Sequence, residues 1–401
     1  MLPISYKISM AFLFQFGGDI WSNLLWLIIL LIFFNFYPRI MVSQLLWKLE
    51  KSAVMLEGLT TKAKNMVIKK IPKRSKEIRE KIDNFLEFFM IEPVSLDPYG
   101  IIKKLEHISN LSEEKFKVFV KDLASSLNKE EQANLVMGLS ATISLYQLAK
   151  VVRHYVETVR KTKNLQLGMV LEMQLPLIER ISKALLQGAE ALTNGWPIGD
   201  SVGCIVAAKL IGNSKVKEME EDVVFVEKKI KGKSVIIMKA KGPGGRLGKL
   251  GKAVEKLLKK KKVNKIITVD AAAKLEGEKT GKVAEGVGVA IGGIGVDRAY
   301  IENLATKKNI PLDSIVIKMS QEEAIQPIPE PVLKAVPLAV QAVERVIENS
   351  KGRILVVGVG NTCGVGNDAE SAEKAEKEAK KNLKMLKKRE EKEKKSFWDW
   401  F

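Results

Sequence analysis

Residues 353–361 read Arg-Ile-Leu-Val-Val-Gly-Val-Gly-Asn. An uncharged, β-branched run of this length, closed by glycines, predicts a strand buried on both faces. Four further runs share its character: 222–227 (DVVFVE), 234–239 (SVIIMK), 265–270 (KIITVD) and 314–319 (SIVIKM). Helical stretches near 246–261, 297–308 and 331–349 separate them. Strands alternating with helices predict an α/β domain over 193–368, a mostly parallel sheet with helices on both faces. Ligands of such sheets bind beyond the carboxyl ends of the strands, so the strand ends carry the candidate chemistry.

Asp270 ends one central run, and Ala271, Ala272 and Ala273 after it leave room for an approaching group. A second acid, Asp200, stands in GWPIGDSVGCIVAAKL (195–210), where a turn-rich lead delivers it to the start of an apolar helix. A carboxylate there is a helix cap, favoured by unpaired N–H groups and the macrodipole, or half of an active site. Two such carboxylates can share a proton, position a water or bind a divalent cation. Gly199 and Gly203 keep the space between them open. KGPGGRLGK (241–249) leaves the strand at 234–239 and opens a lysine-rich helix, which makes Gly244, Gly245 and Arg246 candidate anion binders. It lacks the ending of a Walker A loop, and a tight strand-to-helix turn explains it equally well. GVGNTCGVGND (358–368), with Asn361, fails the dinucleotide fingerprint. Asp297 and Arg298 complete the candidate substrate- or anion-binding set.

Cys204 and Cys363 are the only cysteines, which excludes a disulfide framework and points to a reducing compartment. His107 and His154 are the only histidines and read as packing or surface residues. A metal held by Asp200 and Asp270 would therefore rest on carboxylates, favouring a hard, oxygen-liganded ion over a zinc-type site.

With 46% hydrophobic and 28% charged residues, most of the chain is expected to fold in water. The exception is the uncharged run Ile20–Tyr37, long enough to cross a bilayer, within a membrane anchor over 1–38. Sparse positive charge ahead of it (Lys7) and a basic segment behind it put the N-terminus outside and the rest in the cytoplasm. Twelve Lys and Arg against five acids over 39–85 leave +7 of the formal +19 in that juxtamembrane segment. Anionic headgroups account for it better than nucleic acid, for which no motif speaks. Residues 86–192 read as a helical domain, with helix starts at Ser112 and Asn128 and a break or kink at Pro176. Residues 369–401 read as a solvated Glu/Lys/Ala helix that the domain can lose after Asp368, tipped by FWDWF for self-docking or lipid contact.

Taken together, these segments resemble two protease families. The hydrogenase-maturation endopeptidases and the spore-germination proteases share an α/β fold of the phosphorylase/hydrolase-like kind. Its first strand ends in Gly-x-Gly-Asn, a loop then delivers an acid to an Asp/Glu-x-x-Gly helix, and a glycine turn leads to a strand ending Asp-Ala. ILVVGVGN (354–361) is similar to the first strand, GDSVG (199–203) to the acidic helix start, GPGGRLG (242–248) to the glycine turn and TVDAA (268–272) to the second acidic site. DAAAKLEGEKTG and the later GGIGVDR resemble the spore-protease group, in which a turn ending in a basic residue follows the second aspartate. The whole chain resembles an uncharacterised archaeal family of membrane-anchored proteins. There are two departures. The Gly-x-Gly-Asn strand follows the acidic helix by about 150 residues instead of preceding it, as a circular permutation would produce. In that arrangement Cys363 can approach Cys204. No histidine follows His154, so the one that completes the hydrogenase-type metal site is missing.

The resemblance implies a membrane-anchored cytoplasmic hydrolase of peptidase type, with a protein or peptide substrate and Asp200 and Asp270 as the catalytic pair, with or without a divalent metal. The alternative is a catalytically silent, membrane-tethered binding or scaffold module.

Overall fold

A computed structural model describes residues 20–72, 74–93, 100–291 and 295–398. Lys7, Lys73, residues 292–294 of GGIGVDR and the aromatic end at 399–401 lie outside the described residues. The chain divides into two compact units. One consists of the chain up to Met55 with Ala149–Glu179, the other of Leu56–Leu148 with Arg180 onward.

The first half is all helical: α1 (Ile20–Lys70), α2 (Lys76–Leu86), α3 (Ile101–Leu123), α4 (Lys129–Thr162) and α5 (Leu165–Asn194). In the first unit Val42, Leu45 and Leu49 of α1 are buried. Glu50 beside them receives Arg153 at 2.6 Å and Arg160 at 2.5 Å, and Ser52 donates to Glu179 at 2.6 Å. Toward its start α1 is apolar all round, with Leu24–Phe34 exposed, and it is long and apolar enough to cross a membrane. The apolar window of α4 is 56% buried, as in a core helix. In the second unit Phe85, Phe88, Phe116 and Phe119 form an aromatic cluster between α2 and α3.

Two boundary expectations are corrected here. Ser112 lies inside α3, where the apolar period continues through it, and α5 runs unbroken through Pro176. Asn128 caps α4 as expected: its Oδ1 accepts the Glu131 N–H at 2.9 Å, and Glu131 Oε2 accepts the Asn128 N–H at 3.1 Å.

The second half contains a 3-10 turn (Gly199–Ser201), α6 (Val202–Ile211), β1 (Lys217–Glu220), β2 (Val223–Ile230) and β3 (Lys233–Ala240). There follow α7 (Leu250–Lys260), β4 (Lys265–Ala273), β5 (Val283–Val287), α8 (Val296–Lys308) and β6 (Leu312–Met319). The chain ends with α9 (Gln321–Ile325), α10 (Glu330–Glu348), β7 (Ile354–Gly358) and α11 (Ala369–Trp398). The sheet order is β1-β2-β3-β7-β4-β6-β5. The last strand enters the middle, parallel to β3 and β4, and every residue of it is buried. One face buries Val202–Ile211, the inner side of α10 and the alanines of α11; the other buries α7 and α8.

The sheet is mixed, which corrects the mostly parallel expectation. β3, β7, β4 and β6 run parallel, but β1, β2 and β5 pair antiparallel at the edges. The reason was local. Only Lys231 and Gly232, at φ +47° and +73°, separate β2 from β3, and a two-residue turn joins antiparallel strands whereas a parallel crossover needs a dozen residues or more.

The tail is corrected as well. α11 is not a free solvated helix: Ala372, Ala375 and Ala379 are buried in the sheet's core, and Glu376 pairs with Lys209 of α6 at 2.8 Å. Alanines four and three residues apart give α11 a narrow face that lets it pack closely on its neighbours.

Candidate functional site

Helix α6 is almost wholly apolar, and every residue but Lys209 is buried. It lies directly on the strand ends. A side chain at Gly203 would start 2.3 Å from both the Val269 and the Val359 carbonyl oxygens, so only glycine permits the approach. Gly358 makes the matching approach from β7, with Gly203 O 2.7 Å from where its Cβ would stand. Residues at the head of α6 thereby meet β4 at Val269 and the residue just past β7.

Asp200, in the turn before α6, accepts the Asn361 N–H on Oδ2 at 2.8 Å. Gly360, at φ +118°, brings that amide in; a Cβ on it would stand 1.9 Å from the Asp200 carbonyl oxygen. Asn361 is buried, and its Oδ1 accepts the Cys363 N–H at 2.8 Å, which fixes the turn. Asp270 is buried near the end of β4, with Oδ1 2.6 Å from the Ala271 amide. Cys204 lies among these groups and donates to Gly360 O at 3.1 Å. Burial pushes its thiol up to about 12, opposed by Lys239 and reinforced by the Asp200 and Asp270 charges. Burial also raises the Asp200 pKa, against the Asn361 amide, which favours the anion.

Lys239, at the end of β3, carries no signal in the sequence beyond its place closing a strand. It is fully buried, and its ammonium donates to Ala240 O at 2.7 Å, Gly366 O at 3.0 Å and Asn367 Oδ1 at 3.0 Å. Burial lowers its pKa to about 8. It ties the 361–367 turn to the sheet. Cys204 and Cys363 are both buried free thiols, and Cys363 Sγ is bonded to Leu192 O and Asn134 Oδ1.

Two family models match this chain: the N-terminal domain of a protein of unknown function, DUF1512, over residues 23–195, and its C-terminal domain over 198–366. The chain belongs to the DUF1512 family. No curated protein and no solved structure matches it. The C-terminal model of DUF1512 spans Asp200, Asp270 and the Asn361 turn together, and the seam between the two models falls just ahead of the Asp200 turn.

The remaining candidates lie elsewhere in the DUF1512 domain. Gly199 is a contact residue: its N–H donates to Gln326 O at 2.9 Å, and a side chain would start 2.0 Å from Glu323 O. The donors of the glycine loop are taken by α4. Gly244 N–H and Arg246 Nη1 reach Glu130 Oε2 at 2.6 and 2.5 Å, and Gly245 N–H reaches Asn134 at 2.7 Å. Burial acts to raise the Glu130 pKa, but Arg246 and the Gly244 amide outweigh it and hold the carboxylate charged. The loop thus has an anion, one supplied by its own chain. Asp297 accepts the Gly251 N–H at 2.6 Å and joins α8 to α7, and Arg298 makes a surface pair with Glu302.

A resident zinc-type ion fits poorly. No group of three or more His, Cys, Asp and Glu able to hold a metal occurs among the described residues, and the cysteine at the pair donates its proton to a carbonyl. Two carboxylates fall short of the three protein ligands usual in catalytic zinc sites; a pair suits only a hard ion that keeps most of its waters.

Proposed function

We propose that the DUF1512 chain is a hydrolase of peptidase type that works by a carboxylate pair, Asp200 and Asp270, held by its N-terminal helix to a membrane with the remainder in the cytoplasm. One observation supports the reading: Gly203 seats the head of α6 on the Val269 and Val359 carbonyls, next to Asp270 in sequence on β4 and to the turn that bonds Asp200, and both carboxylates act on the Cys204 thiol. Asp200, the carboxyl whose pKa burial raises, serves as the acid. In this reading Asp270 takes a proton from a water, the water oxygen attacks the peptide carbonyl, and Asp200 protonates the departing amine. The peptide C–N bond breaks, and the proton on Asp270 returns to Asp200 through the next water. Of the candidate substrate- or anion-binding set Gly199, Gly203, Gly244, Gly245, Arg246, Asn361, Asp297 and Arg298, all but Asn361 are taken up by packing or hydrogen bonds within the chain. Asn361, whose amide touches Asp200, has the strongest claim among them. The apolar, exposed start of α1 supports the membrane attachment.

The test is cleavage of a casein-derived peptide library by the full chain in nanodiscs, with Asp200→Asn and Asp270→Asn as controls. Cleavage lost in both variants is the expected result; cleavage retained in either removes that residue from the mechanism. The second reading is a binding module without turnover. Peptides bound but never cut would select it.

A further inference from the structure

A cleft of about 540 Å³ opens between α3, α4 and the glycine loop, and neither Asp200 nor Asp270 lines it. Its floor is apolar, formed by Phe116, Val136 and Met137. Leu247, next to Arg246 on the loop, stands 53% exposed at the rim. Phe116 and Val136 are already buried, so the hydrocarbon in water that an occupant would cover belongs to Leu247 and, in part, Met137, at about 25 cal/mol per Å².

The rim is charged in an uneven way. On one side the charges satisfy one another: Lys117 lies 2.7 Å from Glu113, 3.0 Å from Glu221 and 3.5 Å from Asp222, and Lys249 reaches Glu221 at 2.7 Å. Arg246 is likewise taken by Glu130 and Asp222. The other side differs. Lys121 and Lys129 line the same cleft and form no ion pair among the described residues.

We propose that this cleft is a binding site for a small amphiphilic anion, one with an apolar ring or short chain and a single acidic head. The apolar body covers Leu247 and Met137, and the head lies against Lys121 and Lys129. The volume is that of a small-molecule site, and apolar walls with a few convergent polar groups are the usual composition of one. A bare inorganic anion gains little here, because two exposed ammonium groups are weak partners in water. An uncharged apolar molecule leaves both cations unmatched. Only a ligand joining the two properties uses the whole cleft. The proposal is independent of the carboxylate pair.

The experiment uses the full chain in nanodiscs of zwitterionic lipid, with Ser140→Cys as reporter. Ser140 lines the cleft and is exposed, whereas Cys204 and Cys363 are buried and silent to thiol reagents. Naphthalene-1-sulfonate is the probe. At ten times its half-protecting concentration it is expected to slow modification of the reporter about tenfold, the fraction of open cleft having fallen by that factor. Inorganic sulfate at the same concentration leaves the rate unchanged, and Lys121→Gln with Lys129→Gln raises the half-protecting concentration several-fold. Both lysines are exposed, so the double variant keeps its fold. Absence of protection by the sulfonate overturns the proposal. So does equal protection by sulfate, or protection unchanged in the double variant.

Discussion

The backbone N–H of Asn361 lies 2.8 Å from the Asp200 carboxylate, a bond between groups 161 residues apart. It binds the end of the family's C-terminal domain to its beginning. The acid is thus held by a turn that exists only once β7 has entered the sheet.

That bond and the burial around it set the response of Asp200 to pH. Its folded pKa is raised, so as pH climbs through the ordinary carboxylate value near 3.9 the unfolded chain loses its proton first. The folded state then holds more protons, and stability falls with rising pH until the folded pKa is passed. Asp200→Asn lacks this slope and can still accept the Asn361 N–H. Urea titrations should find the variant gaining on the parent between pH 3 and pH 7. A constant difference across that range would mean the carboxyl is not desolvated.

Gly203→Ala tests the seat of α6. A methyl 2.3 Å from two carbonyl oxygens must push the helix off β4 and β7. Overpacking of this kind is expected to cost about 3 kcal/mol. Thermal unfolding gives the number, and an alanine variant as stable as the parent would contradict the close approach.

Lys239→Met removes three hydrogen bonds while keeping most of the volume. It leaves Gly366 O short of a donor in a buried place, while Asn367 Oδ1 keeps the Gly242 N–H, at a cost of about 2 kcal/mol. Hydrogen exchange at Asn361 and Cys363 should quicken as the turn loosens. Unchanged exchange there would mean that Lys239 does not hold it.

Two truncations separate the centre of the sheet from its cover. A chain ending at residue 350 lacks β7, which pairs with both β3 and β4, and should show no cooperative unfolding. A chain ending at Asp368 keeps the sheet but bares the surface that Ala372, Ala375 and Ala379 cover, and is expected to fold with a stability lower by on the order of 2 kcal/mol. Full stability of this second chain would show that α11 contributes nothing by docking.

Much that depends on near neighbours was legible in the residues. The apolar runs marked β2, β3, β4, β6 and β7 to within a few residues, and the Asn128–Glu131 box marked the start of α4, because strand burial and capping involve groups close in the chain. The Lys231-Gly232 turn was not read, because the apolar runs at 222–227 and 234–239 stop short of the strand ends and leave six residues between them; only the full strands show the two-residue turn that makes β2 and β3 antiparallel. β1, at the exposed edge, and β5, with glycine inside it, lack the continuous apolar run of a buried strand. Nothing local could reveal the surroundings of Lys239, the docking of α11 through three alanines or the occupation of the glycine loop by Glu130. Each depends on residues from distant segments that meet only when the sheet closes around β7, and burial, unlike periodicity, is decided by that meeting.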